Sequence, residues 1–158
     1  MVEATDKMEA IAGRVIITAG GKQMKLISRG DRLLVRLTDD PLENGVRPSV
    51  DYTLRSAVAA LDGNALAVIM TGMGRDGLEG CRVLKQAGGY VFARNQSDYV
   101  VYGMPKVVIE QQLADRTLPL GKLAPGASAL EHRMTYPQIL RNSLNFRVRG
   151  TEGLAPCR

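Results

Sequence analysis

The chain has 158 residues, 45% hydrophobic and 23% charged: enough apolar content for one domain with a sizeable core, and too little charge for wholesale disorder. The net charge of +5 is a mild excess that reads as a solvated surface; no Lys/Arg run is interleaved with aromatics, which argues against a nucleic-acid groove. Cys81 and Cys157 are too few for a disulfide framework or a zinc site, charged residues from Glu3 to Glu9 break any leader-like apolar run, and no stretch approaches the ~20 apolar residues of a membrane span, so the expected compartment is the cytoplasm.

Arg14–Thr18 is a short β-branched run between Gly13 and a Gly20-Gly21 turn. Lys22–Ile27 and Leu33–Thr38 flank the polar segment Ser28-Arg29-Gly30-Asp31, a pattern that predicts a β-hairpin. Asp39–Val46, with Pro41, Asn44 and Gly45, reads as loop.

A helix should start at Ser49, a good N-cap, with Asp51 placing negative charge in the first turn and Leu54, Val58 and Leu61 at helical spacing up to Asp62-Gly63. Ala65–Met70 is a continuous apolar run, as expected of a central parallel strand covered on both faces. It empties into a loop at Thr71–Gly77, after which a helix should turn Leu78, Cys81, Val83 and Leu84 to the core and end at Gly88-Gly89. A strand at Tyr90–Ala93 and a helix at Pro105–Leu113 complete the alternation of an α/β fold with a parallel sheet. Pro125-Gly126-Ala127-Ser128 looks like a linker, and the stretch from Glu131 to Arg158 shows no clear period.

The loop at Thr71–Gly77 holds three glycines and lies at the C-terminal edge of the sheet, where open α/β sheets hold their ligands. Gly72, Gly74 and Gly77 satisfy the dinucleotide pattern G-x-G-x-x-G literally. That fingerprint wants an acidic residue about 20 positions on, whereas the matching strand end offers Arg94 and Asn95. Arg94 could meet a 2′-phosphate, so an NADP-binding unit stays open, although Asp76 at the helix opening would repel a pyrophosphate. The plainest reading makes Asp76 the cap of the helix that follows it.

Three blocks together say more than the loop does. Arg47-Pro48-Ser49-Val50-Asp51, Thr71-Gly72-Met73-Gly74-Arg75-Asp76-Gly77 and Tyr102-Gly103-Met104-Pro105 resemble, in order and spacing, the catalytic domain of the CheB family of chemotaxis methylesterases, over Val2 to Leu123. The resemblance implies a doubly wound, mostly parallel α/β sheet, a Ser-His-Asp triad, and hydrolysis of glutamate methyl esters on chemoreceptors, with glutamine deamidation in some members. It makes Asp76 the triad aspartate and the Met73 backbone N–H part of the oxyanion hole, with no cofactor and no metal. A triad carboxylate fixes the imidazole tautomer and stabilises its cation, and a rigid glycine-flanked backbone can aim an N–H at developing charge.

The family's nucleophilic serine and its histidine lie upstream of the matched region. No Gly-Ala-Ser-Thr-Gly-Gly-like segment occurs here, and the single histidine, His132, matches nothing catalytic. Thr18-Ala19-Gly20-Gly21 lacks the proline usual before those glycines, and Asp98 and Tyr99 stand where smaller residues are usual.

The expectation is residues 1–123 as the C-terminal two-thirds of a methylesterase domain, inactive alone, followed by a linker and tail over 124–158. A fragment, a degenerate gene product and a chain completed by another polypeptide all fit. The implied partners are the cytoplasmic domain of a methyl-accepting chemoreceptor and either the missing N-terminal part or a second copy of the chain. A non-catalytic receptor-binding remnant is the alternative. Stripping early strands from such a sheet should leave an association-prone edge, which Ile139, Leu140, Leu144, Phe146 and Val148 could partly cover.

Overall fold

A computed structural model describes residues 1–96 and 103–131. Asp98, Tyr99, Tyr102, His132, Cys157 and the apolar residues between 139 and 148 lie outside that range. The expected run at Arg14–Thr18 contributes only its centre, β2 (Ile16–Ile17), which pairs in parallel with β1 (Val2–Glu3).

The expected hairpin forms. β3 (Gln23–Arg29) and β4 (Arg32–Thr38) are antiparallel, with Gln23 opposite Thr38 and Arg29 opposite Arg32. The ladder therefore extends through Ser28 and Arg29, leaving Gly30-Asp31 as the turn, with Gly30 at φ 58°.

Helix α1 (Val50–Leu61) starts at Ser49, whose Oγ accepts from Tyr52 N–H, and Asp62 makes the left-handed exit at φ 52°. The helix lies against the hairpin. Thr53 Oγ1 donates to the Met24 carbonyl at 2.9 Å, and Leu26 N–H donates to Ser56 Oγ at 3.0 Å.

The remaining elements alternate: β5 (Leu66–Ile69), α2 (Leu78–Gln86), β6 (Tyr90–Arg94), α3 (Met104–Glu110), β7 (Arg116–Leu118) and α4 (Leu120–Glu131). Their three strands form one parallel sheet in the order β5-β6-β7. One face of it (Ala67, Ile69, Val91, Ala93) packs on Leu78, Cys81 and Leu84 of α2 and Val108 of α3, with Val50, Leu54 and Val58 of α1 at the margin. The other face presents Phe92 to Leu123 and Leu130 of α4. Helices thus cover both faces, as the α/β reading requires.

Three sequence expectations need correction, and one strand has no counterpart among the expected elements. The central strand is β6, in which Val91, Phe92 and Ala93 are all buried. β5 is an edge among the described residues: Ala67 and Ile69 are buried, Leu66 and Val68 only half-buried, and Met70 is 48% exposed. Its uniform apolarity mimics a central strand because helices cover both its faces, while its outer backbone edge has no described partner. In α2 the buried positions are Leu78, Gly80, Cys81 and Leu84, with Val83 half-buried, because close approach of α1 turns Gly80 inward.

The strand without a counterpart is β7, three residues bearing Arg116 and Thr117 that carry no strand pattern. The third correction is the apparent linker Pro125-Gly126-Ala127-Ser128, which lies inside the helix α4. Gly126 is buried against Leu118 and Phe92, and the helix anchors through Leu123 and Leu130, so tertiary packing overrides a poor local propensity.

Candidate active site

The three sequence blocks converge at the C-terminal end of β5. The first is positioned by the hairpin. Gln23, fully buried at the start of β3, accepts from Ser49 N–H at 2.9 Å and donates to the Pro41 carbonyl at 3.0 Å, fixing the chain where α1 begins. The third is positioned by the loop. Met104 N–H donates to the Gly72 carbonyl at 2.9 Å, and a Cβ on Gly103 would fall 2.4 Å from that oxygen and 3.0 Å from Met73 Cα, so only glycine fits there.

Asp76, of the second block, reaches into the first and is 9% exposed. Its Oδ1 accepts from Ser49 Oγ at 2.7 Å, Asn44 Nδ2 at 2.9 Å and Asp51 N–H at 3.2 Å; its Oδ2 accepts from Val50 N–H at 2.7 Å. The carboxylate therefore lies at the N-terminus of α1, where orphan amides and the helix dipole favour negative charge. It does not cap the helix that follows it: the N-cap of α2 is Gly77, at φ 90°, with no side-chain hydrogen bond.

Burial alone would raise the Asp76 pKa, but donation from Val50 N–H, Ser49, Asn44 and Asp51 N–H outweighs it and holds the carboxyl below its ordinary value. Asp76 is thus a buried, firmly ionised, rigidly oriented carboxylate. Among the described residues its Oδ2 receives one hydrogen bond and its Oδ1 three, so the remaining lone pair is on Oδ2.

A second buried carboxylate, absent from the sequence-level candidates, lies beside it. Asp51 is 2% exposed; its Oδ1 accepts from Gly80 N–H at 2.6 Å, and its Oδ2 accepts from Asn44 Nδ2 at 2.8 Å. Gly80 is in the first turn of α2, which is where a pyrophosphate bound through Gly72, Gly74 and Gly77 would seek its amides. Two buried carboxylates thus stand where a dinucleotide would bring its own negative charge.

Met73 is 81% exposed at the tip of the loop, between Gly72 at φ 152° and Gly74 at φ 79°. Arg94 and Asn95 end β6 and open the segment after it, beside β7, where Asn95 N–H donates to the Leu118 carbonyl at 2.9 Å.

The CheB methylesterase family model matches residues 1–126. The chain belongs to the CheB methylesterase family. It is 42% identical over 123 residues to a protein-glutamate methylesterase/protein-glutamine glutaminase of Anaeromyxobacter dehalogenans, covering 78% of this chain and 35% of the relative. It is 45% identical over 124 residues to the corresponding protein of Desulfotalea psychrophila, covering 77% and 34%. The chain spans about a third of the length of these curated relatives. Its fold superimposes on the crystal structure of the Thermotoga maritima CheB methylesterase catalytic domain with a TM-score of 0.79 and 38% identity, covering 81% of this chain and 68% of that one.

Among the described residues no helix is long and apolar enough to cross a membrane.

Proposed function

We propose that this chain supplies the aspartate side of a protein-glutamate methylesterase site acting on methyl-esterified glutamates of a chemoreceptor's cytoplasmic domain. The observation that carries the reading is the Asp76 carboxylate: buried, ionised, held by four donors, and placed just past the C-terminal end of β5 beside an exposed glycine-flanked loop. A triad aspartate has to be all of these things, because its task is to hold an imidazole N–H in one orientation and to stabilise the cation formed when the other nitrogen takes a proton. The open lone pair on Oδ2 is the acceptor such an imidazole would use.

In the proposed reaction the imidazole takes the serine hydroxyl proton as the oxygen attacks the ester carbonyl. The Met73 N–H helps to stabilise the resulting oxyanion, methanol leaves with the proton, and water then releases the glutamate carboxylate. The serine and histidine come from polypeptide outside these 158 residues, since His132 is the chain's one histidine and no nucleophile-bearing glycine turn is present.

The experiment is a two-part assay of methylated receptor fragment. The chain alone should release no methanol above background. The chain mixed with the N-terminal third of a relative's catalytic domain, which carries the serine and histidine, should restore hydrolysis, and Asp76→Ala should abolish the restored activity. Hydrolysis by the chain alone that vanishes in Asp76→Ala would require a base within the chain. Receptor binding without restorable hydrolysis would favour a non-catalytic binding module.

A further inference from the structure

The Asp76 carboxylate and the Asp51 carboxylate are both buried, belong to facing helix starts, and share one donor. Asn44 Nδ2 lies 2.9 Å from Asp76 Oδ1 and 2.8 Å from Asp51 Oδ2, so both amide hydrogens are spent, one on each carboxylate. We propose that Asn44 is a positioning residue for Asp76, setting the orientation and charge of that carboxylate through the bridge to Asp51. The proposal rests on the reading of Asp76 as the orienting carboxylate.

The surrounding loop is built to present this amide. Glu43 and Val46 exchange backbone hydrogen bonds at 3.1 and 2.9 Å, closing a tight turn around Asn44 and Gly45. Glu43 clamps that turn to α1 through two hydrogen bonds from Arg55, each 2.5 Å. Asn44 itself adopts φ 53°, a left-handed conformation that asparagine tolerates better than most side chains. The residue is on the exposed side of the loop, yet its amide reaches inward.

The chemistry explains why an amide suits this place. Two carboxylates close enough to bond the same nitrogen repel each other, and that repulsion favours protonation of one of them. A cation between them would compete with an imidazolium for Asp76. A neutral amide satisfies both anions and leaves the site's charge to its catalytic partner. Among the described residues the other donors to Asp76 are Ser49 Oγ and the Val50 and Asp51 amides, none of which titrates, and Asp51 is the ionisable group that faces it through Asn44.

The test is a carboxyl-carbon NMR titration of Asp76 in the 158-residue chain, comparing Asn44→Gly and Asn44→Asp with the parent. Asn44→Gly keeps the left-handed backbone and removes only the amide, and should raise the Asp76 pKa by about one unit, the size expected for losing one hydrogen bond to a charged group. Asn44→Asp puts a third carboxylate in place of the donor and should raise it further. A residue that merely holds the loop would lower the melting temperature of both variants and leave the Asp76 titration where it is, which overturns the proposal. Should Asn44→Asp fail to fold, Asn44→Gly decides; collapse of both would make the amide a folding element and equally overturn it. The titration needs no turnover, so its outcome is independent of whether the complemented assay restores hydrolysis.

Discussion

The Asp76 carboxylate, two residues before α2, binds the first two amides of α1, while the Asp51 carboxylate, in the first turn of α1, binds the Gly80 amide in the first turn of α2. Each helix start is thus neutralised by the acid of the other, and the two helices are locked at their N-terminal ends. Removing either acid should cost stability. Asp51→Ala leaves the buried Gly80 amide without its acceptor and should destabilise the chain by about 1–3 kcal/mol, the usual cost of an orphaned buried donor. Urea denaturation of the variant against the parent measures it, and a loss below about 0.5 kcal/mol would mean that water replaces the carboxylate.

The same lock is sensitive to acid. The folded Asp76 titrates below its unfolded value, which is about 4. A depressed carboxyl contributes stability that is fully present above the unfolded pKa and is lost as pH falls through the folded one. Stability should therefore decline from about pH 4 downward, and Asp76→Asn, which cannot ionise, should flatten that decline while lowering the plateau at neutral pH. Denaturant midpoints measured across this window for both proteins test the assignment. An unchanged slope in Asp76→Asn would assign the acid sensitivity to other carboxyls.

Packing between the two helices makes a third test. A Cβ on Gly80 would lie 2.6 Å from Leu54 Cβ and 3.2 Å from Asp51 Cα. Gly80→Ala should therefore push α2 away from α1, against the usual gain in helix propensity, and cost about 1–3 kcal/mol as overpacking does. The displacement would also lengthen the Asp51–Gly80 hydrogen bond, so amide exchange at Gly80 should quicken. A stabilised Gly80→Ala would contradict the close helix approach.

How much of this could be read from the chain beforehand depends on the range of the interaction. The hairpin at residues 23–38 and the Ser49 cap are announced by neighbours in sequence: two runs flanking a polar segment with a glycine, and a hydroxyl three residues before the amide it accepts from. The partners of Asp76 are 25 to 32 residues away, so its role as a cap for α1 leaves no local pattern, and the plain expectation that it caps α2 fails. Asp51 shows itself only as a favourable first-turn acid, and Asn44 only as a loop residue. The helix over Pro125-Gly126 is hidden for another reason: its stability comes from Leu123 and Leu130 seated near Phe92, and the composition of the four residues between points the other way. The family resemblance pointed to Asp76 and Met73 but carried no information on what orients them.

Cysteine chemistry gives a fourth expectation. Cys81 is fully buried on the inner face of α2, and burial, with a smaller contribution from the Asp51 charge, pushes its thiol pKa up to about 12. The thiolate is the reactive form, so Cys81 should resist alkylation in the folded chain at pH about 8 and react once urea is added. Peptide mapping after iodoacetamide treatment separates it from Cys157. Rapid native labelling of Cys81 would mean that α2 opens from the sheet at little cost.

The last expectation concerns the outer edge of β5. Among the described residues β5 pairs with β6 on one side only, its Leu66 and Val68 are half-buried, and Met70 at its end is exposed. A parallel strand with an open edge and apolar flanks offers unpaired backbone groups to any extended segment, and such edges associate unless charged or covered. The free chain should therefore sediment as a concentration-dependent mixture of monomer and larger species. Met70→Lys places a charge at that edge without disturbing a buried residue, and should shift the distribution toward monomer. If instead both proteins sediment as monomers at every concentration, the β5 edge is already protected within the chain, and a polypeptide bearing the serine and histidine would have to displace that protection before it could complete the sheet.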